Sequence, residues 1–305
     1  MSIGIEQSYL WLLEVALLIM GAKLLEAIFI RIGLARILAY LSLGLILAVL
    51  RHSTGFEISD VTIALANIGI ISLLFQAGLE STLRHFIRGI KEAGIVAVGG
   101  VIGALVAGFA LIPLLCRSVS EAFALGVVLS ATSISVTVKT FEELGALGSP
   151  EAQVIIGAAV VDDVIGLALL SILYGMSLNE LDVVHSIGIP ILAFSFWFAT
   201  AWLANRYAPN LFKFILKLRL EAGITSLAFA IVLFLAYIAS TIGLSTILLA
   251  YAFGLGIAGF RYVARKIEEA LRVLTSIFAP LFFIYVGSRI DIEQILLSEP
   301  TSLLM

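Results

Sequence analysis

Asp162 and Asp163 stand side by side in the middle of AQVIIGAAVVDDVIGLALLSILYG, residues 152–175, a run with no other charge. As a helix rising about 1.5 Å per residue, this run would be ~36 Å long and would place both acids near the midplane of a bilayer. An ionised Asp there costs about 3 kcal/mol or more, so intramembrane acids are by default ion or proton sites. The chemistry on offer is exchange, because a carboxylate can hold a cation or a proton but not both at once. Neighbours on one helix project about 100° apart, so a single packing surface cannot account for both acids. A second polar cluster precedes them: LSATSISVTVKT carries Ser130, Thr132, Ser133, Ser135 and Thr137. Such hydroxyls can bond back to the carbonyls of their own helix. Serines and β-branched residues at this density also weaken a helix, and unwound backbone at membrane depth is tolerated where it lines a cavity. Its carbonyls and hydroxyls are hard oxygen ligands suited to an alkali cation.

The elements that would position these groups follow from composition. The 305 residues are 61% hydrophobic and 13% charged, a balance that indicates a polytopic all-α membrane protein and excludes a soluble enzyme. Net charge is −3 with no basic cluster among aromatics, so nucleic acid is not an expected partner. The single Cys116 rules out an intrachain disulfide and a cysteine metal site. Apolar runs number ten: 8–30, 34–50, 61–79, 93–116, 122–138, 152–175, 186–205, two within 222–260 turning near Ser240, Thr241 and Gly243, and 270–288. The N-terminus has no basic region before its apolar run and reads as a retained first span.

Loop charges test this count. Arg31, Arg36, Arg84, Arg88, Lys91, Lys139, Arg206, Lys213, Lys217, Arg219, Arg261, Arg265 and Lys266 fall in odd-numbered loops, and Arg51, Arg117 and Arg289 on the other side. That bias places the N-terminus outside a cell (inner or plasma) membrane and the odd loops in the cytoplasm. An internal repeat is also present. GLARILAYLSLGLILA from Gly33 and GLSTILLAYAFGLGIA from Gly243 share seven identities in sixteen positions at an offset of 210 (243 minus 33). Each precedes a run ending in aromatics and glycine, LLFQAG at 73–78 and PLFFIYVG at 280–287. An odd number of spans separates the copies, so they cross the membrane in opposite senses, as inverted repeats of secondary transporters do.

The stretch ATSISVTVKTFEELGALGSPEAQVIIGAAVVDDVIGLALL, with GLSTILLAYAFGLGIAG and APLFFIYVGSRIDI, resembles the monovalent cation:proton antiporters of the sodium/proton exchanger superfamily, in the prokaryotic branch with paired aspartates. The likeness runs from about 33 to 292. It implies a thirteen-helix fold of inverted repeats, in which a core with two crossed, broken helices moves against a scaffold in an elevator-like alternating-access motion. The scaffold also makes the homodimer contact. It further implies scaffold and dimerisation helices over 1–91, core ion-translocation helices over 92–178 with the fifth one broken, a linking helix over 179–207 and scaffold helices over 208–292. Asp163 matches the family's ion-binding aspartate, and Asp162 the adjacent acid associated with electrogenic members. Thr132 and Ser133 match the break in the first crossed helix, with Thr132 beside Asp163 on the cation. Some members carry an acid where this chain has Ser133, which leaves ion selectivity open.

The implied activity is exchange of sodium, or another monovalent cation, for protons, serving pH homeostasis without cofactor or covalent catalysis. Potassium/proton exchange and glutathione-gated potassium efflux are the alternatives. The family pattern continues with three further core helices after 292, so residues 293–305 read as a shortened end. A non-transporting fragment, or a second chain supplying those helices, then follows as an expectation. An intramembrane aspartyl protease is disfavoured, since its two acids must converge from separate helices and no Gly-x-Gly-Asp stretch occurs. Lys23 with Glu26 at i,i+3 reads as a structural couple, Gln76 as a cross-helix hydrogen bonder, and Pro113, Pro190 and Pro280 as kink positions.

Overall fold

The structure, a computed structural model, describes residues 3–80, 82–111, 118–178, 183–217, 222–241 and 245–291. The expected turn at Gly243, the positions of Pro113, Cys116, Arg117 and Arg219, and the end at 293–305 lie outside those residues.

Every regular element among the described residues is a helix: α1 (Ile3–Arg31), α2 (Arg36–Thr54), α3 (Asp60–Glu80), α4 (Leu83–Ala110), α5 (Val119–Ser130), α6 (Ile134–Glu143), α7 (Pro150–Leu178), α8 (Val183–Lys217), α9 (Gly223–Thr241), α10 (Thr246–Ile257) and α11 (Arg261–Ser288). Long apolar runs take this form because a helix pairs all its backbone groups internally, the requirement lipid imposes. Three non-helical residues separate α5 from α6, so the two are halves of one interrupted crossing and the ten expected runs each have a helical counterpart. Among the described residues, six stretches are long and apolar enough to cross a membrane: Asp60–Glu80, Phe86–Ala110, Val119–Glu143, Pro150–Leu170, Gly223–Thr241 and Arg261–Ser288. The protein is a polytopic membrane protein.

The helices outrun the apolar stretches read from sequence. Arg84, Arg88 and Lys91 lie within α4, Arg206, Lys213 and Lys217 within α8, and Arg265 and Lys266 within α11, not in loops. Helix α8, at 35 residues, is about 52 Å long, well beyond the ~30 Å of a hydrocarbon core. Long cationic side chains have good helix propensity and can sit at a membrane–water interface, so charge marks the end of the buried stretch rather than the end of the helix. The division points 91/92 and 207/208 accordingly fall inside continuous helices. Pro190 and Pro280 lie inside α8 and α11.

Two groups of helices are visible in the packing. Helix α3 lies against α11 and α10, and α11 against α2; separately, α4 packs on α5 and α7. Helix α8 touches both groups, through α10 on one side and α7 on the other. Glycines allow the closest crossings. A Cβ added at Gly44 would lie 2.8 Å from the Gly287 Cα, and one added at Gly254 would lie 3.0 Å from the Gly78 Cα. Only a residue without a side chain lets two helix backbones approach this far. The pairing is reciprocal. Gly254 is the counterpart of Gly44 in the repeat, and Gly78 and Gly287 close the two aromatic-glycine runs, so each copy's first helix crosses the other copy's second.

Polar side chains join elements at a few points. Glu26 is 9% exposed, accepts from the Lys23 Nζ at 2.8 Å and from the Tyr40 hydroxyl at 2.9 Å, and lies 3.7 Å from the Arg36 Nε. The Thr275 hydroxyl donates to the Gln76 Oε1 at 3.2 Å across α11 and α3. The backbone N–H of Arg36 donates to the Glu143 Oε2 at 2.8 Å, tying the start of α2 to the end of α6.

Candidate functional site

The site is built around the gap between α5 and α6. Residues 131–133 leave the helical path, with Ala131 at φ −64, ψ 116 and Ser133 at φ −82, ψ 103. An interruption at membrane depth strands backbone groups that water would otherwise satisfy. The hydroxyl run answers much of this locally. Ser133 caps α6, its Oγ accepting the Val136 N–H at 3.4 Å and lying 3.1 Å from the Ser135 Oγ. Ser130 donates to the Val127 carbonyl at 2.9 Å, Thr132 to the Ser130 carbonyl at 3.3 Å and Thr137 to the Ser133 carbonyl at 3.0 Å. One amide of the break is met from α7, where the Asp162 Oδ2 accepts the Thr132 N–H at 3.2 Å.

Thus the acids and the hydroxyl run do come together at Thr132, whose backbone N–H and side-chain hydroxyl both act on the Asp162 carboxylate. Asp162 is 8% exposed and is committed to that bond. Asp163 is half-buried and has no hydrogen-bond partner among the described residues. Both line a cavity of about 390 Å³ whose walls come from four helices: Ser130 from α5, the acids from α7, Trp197 from α8, and Leu248 from α10 with its N-cap Ser245. No contact brings the Ser133 hydroxyl to the acids among the described residues, whereas Thr132 reaches Asp162 by its N–H and by its hydroxyl.

The cavity is apolar apart from these few groups, the usual make-up of a small-ligand site. Among the described residues, no group of three or more His, Cys, Asp or Glu is placed to hold a metal ion. What the arrangement offers is one carboxylate anchored to the helix interruption and one facing open space beside it, hard oxygens that take a monovalent cation or a proton.

Trp197 is the wall residue that sequence reasoning did not single out. It is 3% exposed, and its Nε1 has no acceptor among the described residues. Its ring lies 4.9 Å from Phe86 of α4, 5.9 Å from Phe194 of α8 and 6.5 Å from Tyr251 of α10, measured between centroids. Nothing in the spacing links position 197 to 162, because the two come to line one cavity through the way α8 packs on α7 and α10.

The sequence pattern described as sodium/hydrogen exchanger, transmembrane, matches residues 15–305. The chain is 32% identical over 291 residues to the probable Na(+)/H(+) antiporter GerT of Bacillus cereus, covering 94% of this chain and 76% of that protein. It is 29% identical over 287 residues to the Na(+)/H(+)-K(+) antiporter GerN of Bacillus cereus, covering 92% and 72%. The solved sodium proton antiporter MjNhaP1 from Methanocaldococcus jannaschii, at pH 8, has the same fold, with a TM-score of 0.64 at 18% identity over 97% of this chain and 74% of that one.

Proposed function

Because this chain belongs to the sodium/hydrogen exchanger family, we propose that it exchanges sodium, or another monovalent cation, for protons across a cell membrane. The observation that carries the reading is the pairing of Asp162 and Asp163 in one cavity beside an interrupted helix. Asp163 is assigned as the carboxylate on which cation and proton compete, since no other group engages it among the described residues. Asp162 holds the interruption in register through the Thr132 N–H and adds a second charge, which makes electrogenic exchange the expected outcome. Ser133 caps α6 and supports the same backbone. Coupling follows if the two access states interconvert only when the site is occupied: a proton gradient then drives the cation the other way. No bond is made or broken, so the reading is transport and not enzymatic chemistry.

The packing supports a division of labour. Helices α1–α3 and α9–α11 act as scaffold, α4–α7 as the moving core, and α8 as the link that touches both. A homodimer through the scaffold, an N-terminus outside and a place in the plasma membrane complete the reading, supported by the resemblance and by the charge bias. Potassium is the runner-up cargo, since one relative's name couples sodium/proton exchange with potassium.

Purified protein in proteoliposomes, loaded with a pH-sensitive dye and challenged with sodium, lithium or potassium, tests this. The expected result is cation-dependent proton movement in the wild type and none in Asp163→Asn. Undiminished exchange by that variant refutes the assignment.

A further inference from the structure

Helix α8 is about 20 Å too long for the ~30 Å of a hydrocarbon core, and its apolar run ends at Asn205, which leaves the stretch 206–217 as excess. That stretch presents three different rows of side chains. Ala208 and Phe212, 5% and 0% exposed, face the protein. Tyr207, Leu211 and Phe214, spaced four and three apart, make an apolar row that is 58%, 40% and 59% exposed. Arg206, Lys213 and Lys217, spaced seven and four apart, make an exposed basic row beside it. Nothing within the described residues neutralises the basic row. Residues 183–217 contain no Asp or Glu, and none of the three cations has a carboxylate partner among the described residues. Lys23, Arg36, Lys139 and Arg272, by contrast, are all ion-paired.

In water the apolar row would stay solvated at a cost, and in hydrocarbon the three unpaired cations would be penalised. A membrane surface satisfies both rows together: the aromatic and aliphatic side chains enter the acyl boundary while the cations meet phosphate groups. Pro209 stands where the two regimes join. It lacks the N–H that would bond the Asn205 carbonyl, and helices bend at such positions.

We propose that residues 206–217 of α8 are a docking surface for anionic phospholipid. Arg206, Lys213 and Lys217 hold headgroup phosphates, and Tyr207, Leu211 and Phe214 sit among the upper parts of the chains. Helix α8 touches both α7 and α10, so the lipid is fastened to the element that joins the two groups of helices. The surface requires only that the chain spans a membrane, whatever ion it carries.

The test is thermal unfolding of the full chain in detergent micelles, titrated with phosphatidylglycerol, phosphatidylcholine or soluble glycerol 3-phosphate. A lipid that binds the folded state raises its melting temperature with concentration. Phosphatidylglycerol should stabilise the wild type, less so as salt is added, and the other two should not. In Arg206→Gln/Lys213→Gln/Lys217→Gln the half-stabilising phosphatidylglycerol concentration should rise about tenfold or more. Leu211→Asn/Phe214→Asn should raise it as well. Removing three charges from α4, in Arg84→Gln/Arg88→Gln/Lys91→Gln, should leave it within about twofold of wild type.

Equal stabilisation by phosphatidylcholine marks chain packing alone and overturns the proposal, and equal stabilisation by glycerol 3-phosphate overturns it by assigning the row to a soluble anion. An unchanged titration in the α8 charge variant, the same rise in the α4 variant, or no stabilisation of the wild type by phosphatidylglycerol also overturns it. If the triple α8 variant does not fold, Lys213→Gln/Lys217→Gln decides on the same readings. None of these titrations varies the transported cation, so their failure leaves the exchange reading standing, and loss of exchange in Asp163→Asn leaves this surface standing.

Discussion

The Asp162 carboxylate accepts the backbone N–H of Thr132 across 3.2 Å, joining the acidic helix to the non-helical break between α5 and α6. The acid is therefore part of what makes the interruption stable, in addition to carrying charge. Asn at position 162 can still turn its carbonyl oxygen to the amide, whereas Ala leaves a buried donor unmet. Asp162→Ala should lower unfolding stability by about 1–3 kcal/mol relative to Asp162→Asn. Equal melting temperatures for the two variants would show that the bond carries no weight.

The same bond changes what is expected of Thr132. Its hydroxyl is shared between the Ser130 carbonyl and the Asp162 carboxylate, while the main chain holds the acid by its own bond. Thr132→Val should therefore leave the half-saturating sodium concentration of transport within about threefold of wild type, the scale of a bond worth less than 1 kcal/mol. Thr132→Pro removes the donor itself, and Ala131 at ψ 116 already has the extended backbone that precedes proline. That variant should lose sodium-dependent exchange while still inserting. A large effect from Val and a small one from Pro would return the hydroxyl to the site.

Ser133 makes a contrasting case. As the N-cap of α6 its replacement by Ala should cost about 1 kcal/mol of stability and leave cation affinity unaltered. A shifted sodium titration in Ser133→Ala would make it a ligand.

Backbone crossings set a third expectation. A Cβ at Gly44 would meet the Ile284 carbonyl and the Gly287 Cα, and one at Gly254 the Phe75 carbonyl and the Gly78 Cα. Gly44→Val and Gly254→Val should each lower stability by about 1–3 kcal/mol or prevent folding. Gly99→Val and Gly103→Val in α4, where a Cβ meets nothing within 4 Å, should unfold near the wild-type temperature. A similar loss in all four would point to helix propensity instead of crossing distance.

Much of this was legible in the residues. Apolar length gave the crossings because lipid permits few alternatives to a helix, and the crowded hydroxyls from Ser130 to Thr137 announced a weakened one. The repeat at Gly33 and Gly243 aligned Gly44 with Gly254, but the crossings these glycines make with the other copy were not readable from it. Lys23 with Glu26, and Gln76, met the partners their spacing or burial suggested. Helix ends were not legible, as Arg84 and Lys213 show, because cations at an interface continue a helix as readily as they stop it. Nor was Trp197 in the cavity wall, or the main-chain route from Thr132 to Asp162. Both depend on how distant helices are rotated against each other, which no local pattern records.

The glycine crossings also set where the molecule can yield. Side-chain contacts can slip from one rotamer to another, but a carbonyl resting on an α-carbon has no alternative arrangement nearby. Gly44 on Gly287 and Gly254 on Gly78 act like pinned joints that hold α2, α3, α10 and α11 as one stiff frame. Amides near these joints should be the last to exchange with deuterated solvent. Those around residues 131–133, held by single hydrogen bonds, should be the first within the apolar interior. Sliding of α4–α7 would then run along the seams where α6 meets α2 and α3 and where α7 meets α8, and the Arg36 N–H to Glu143 contact is a bond in the first that such movement has to break.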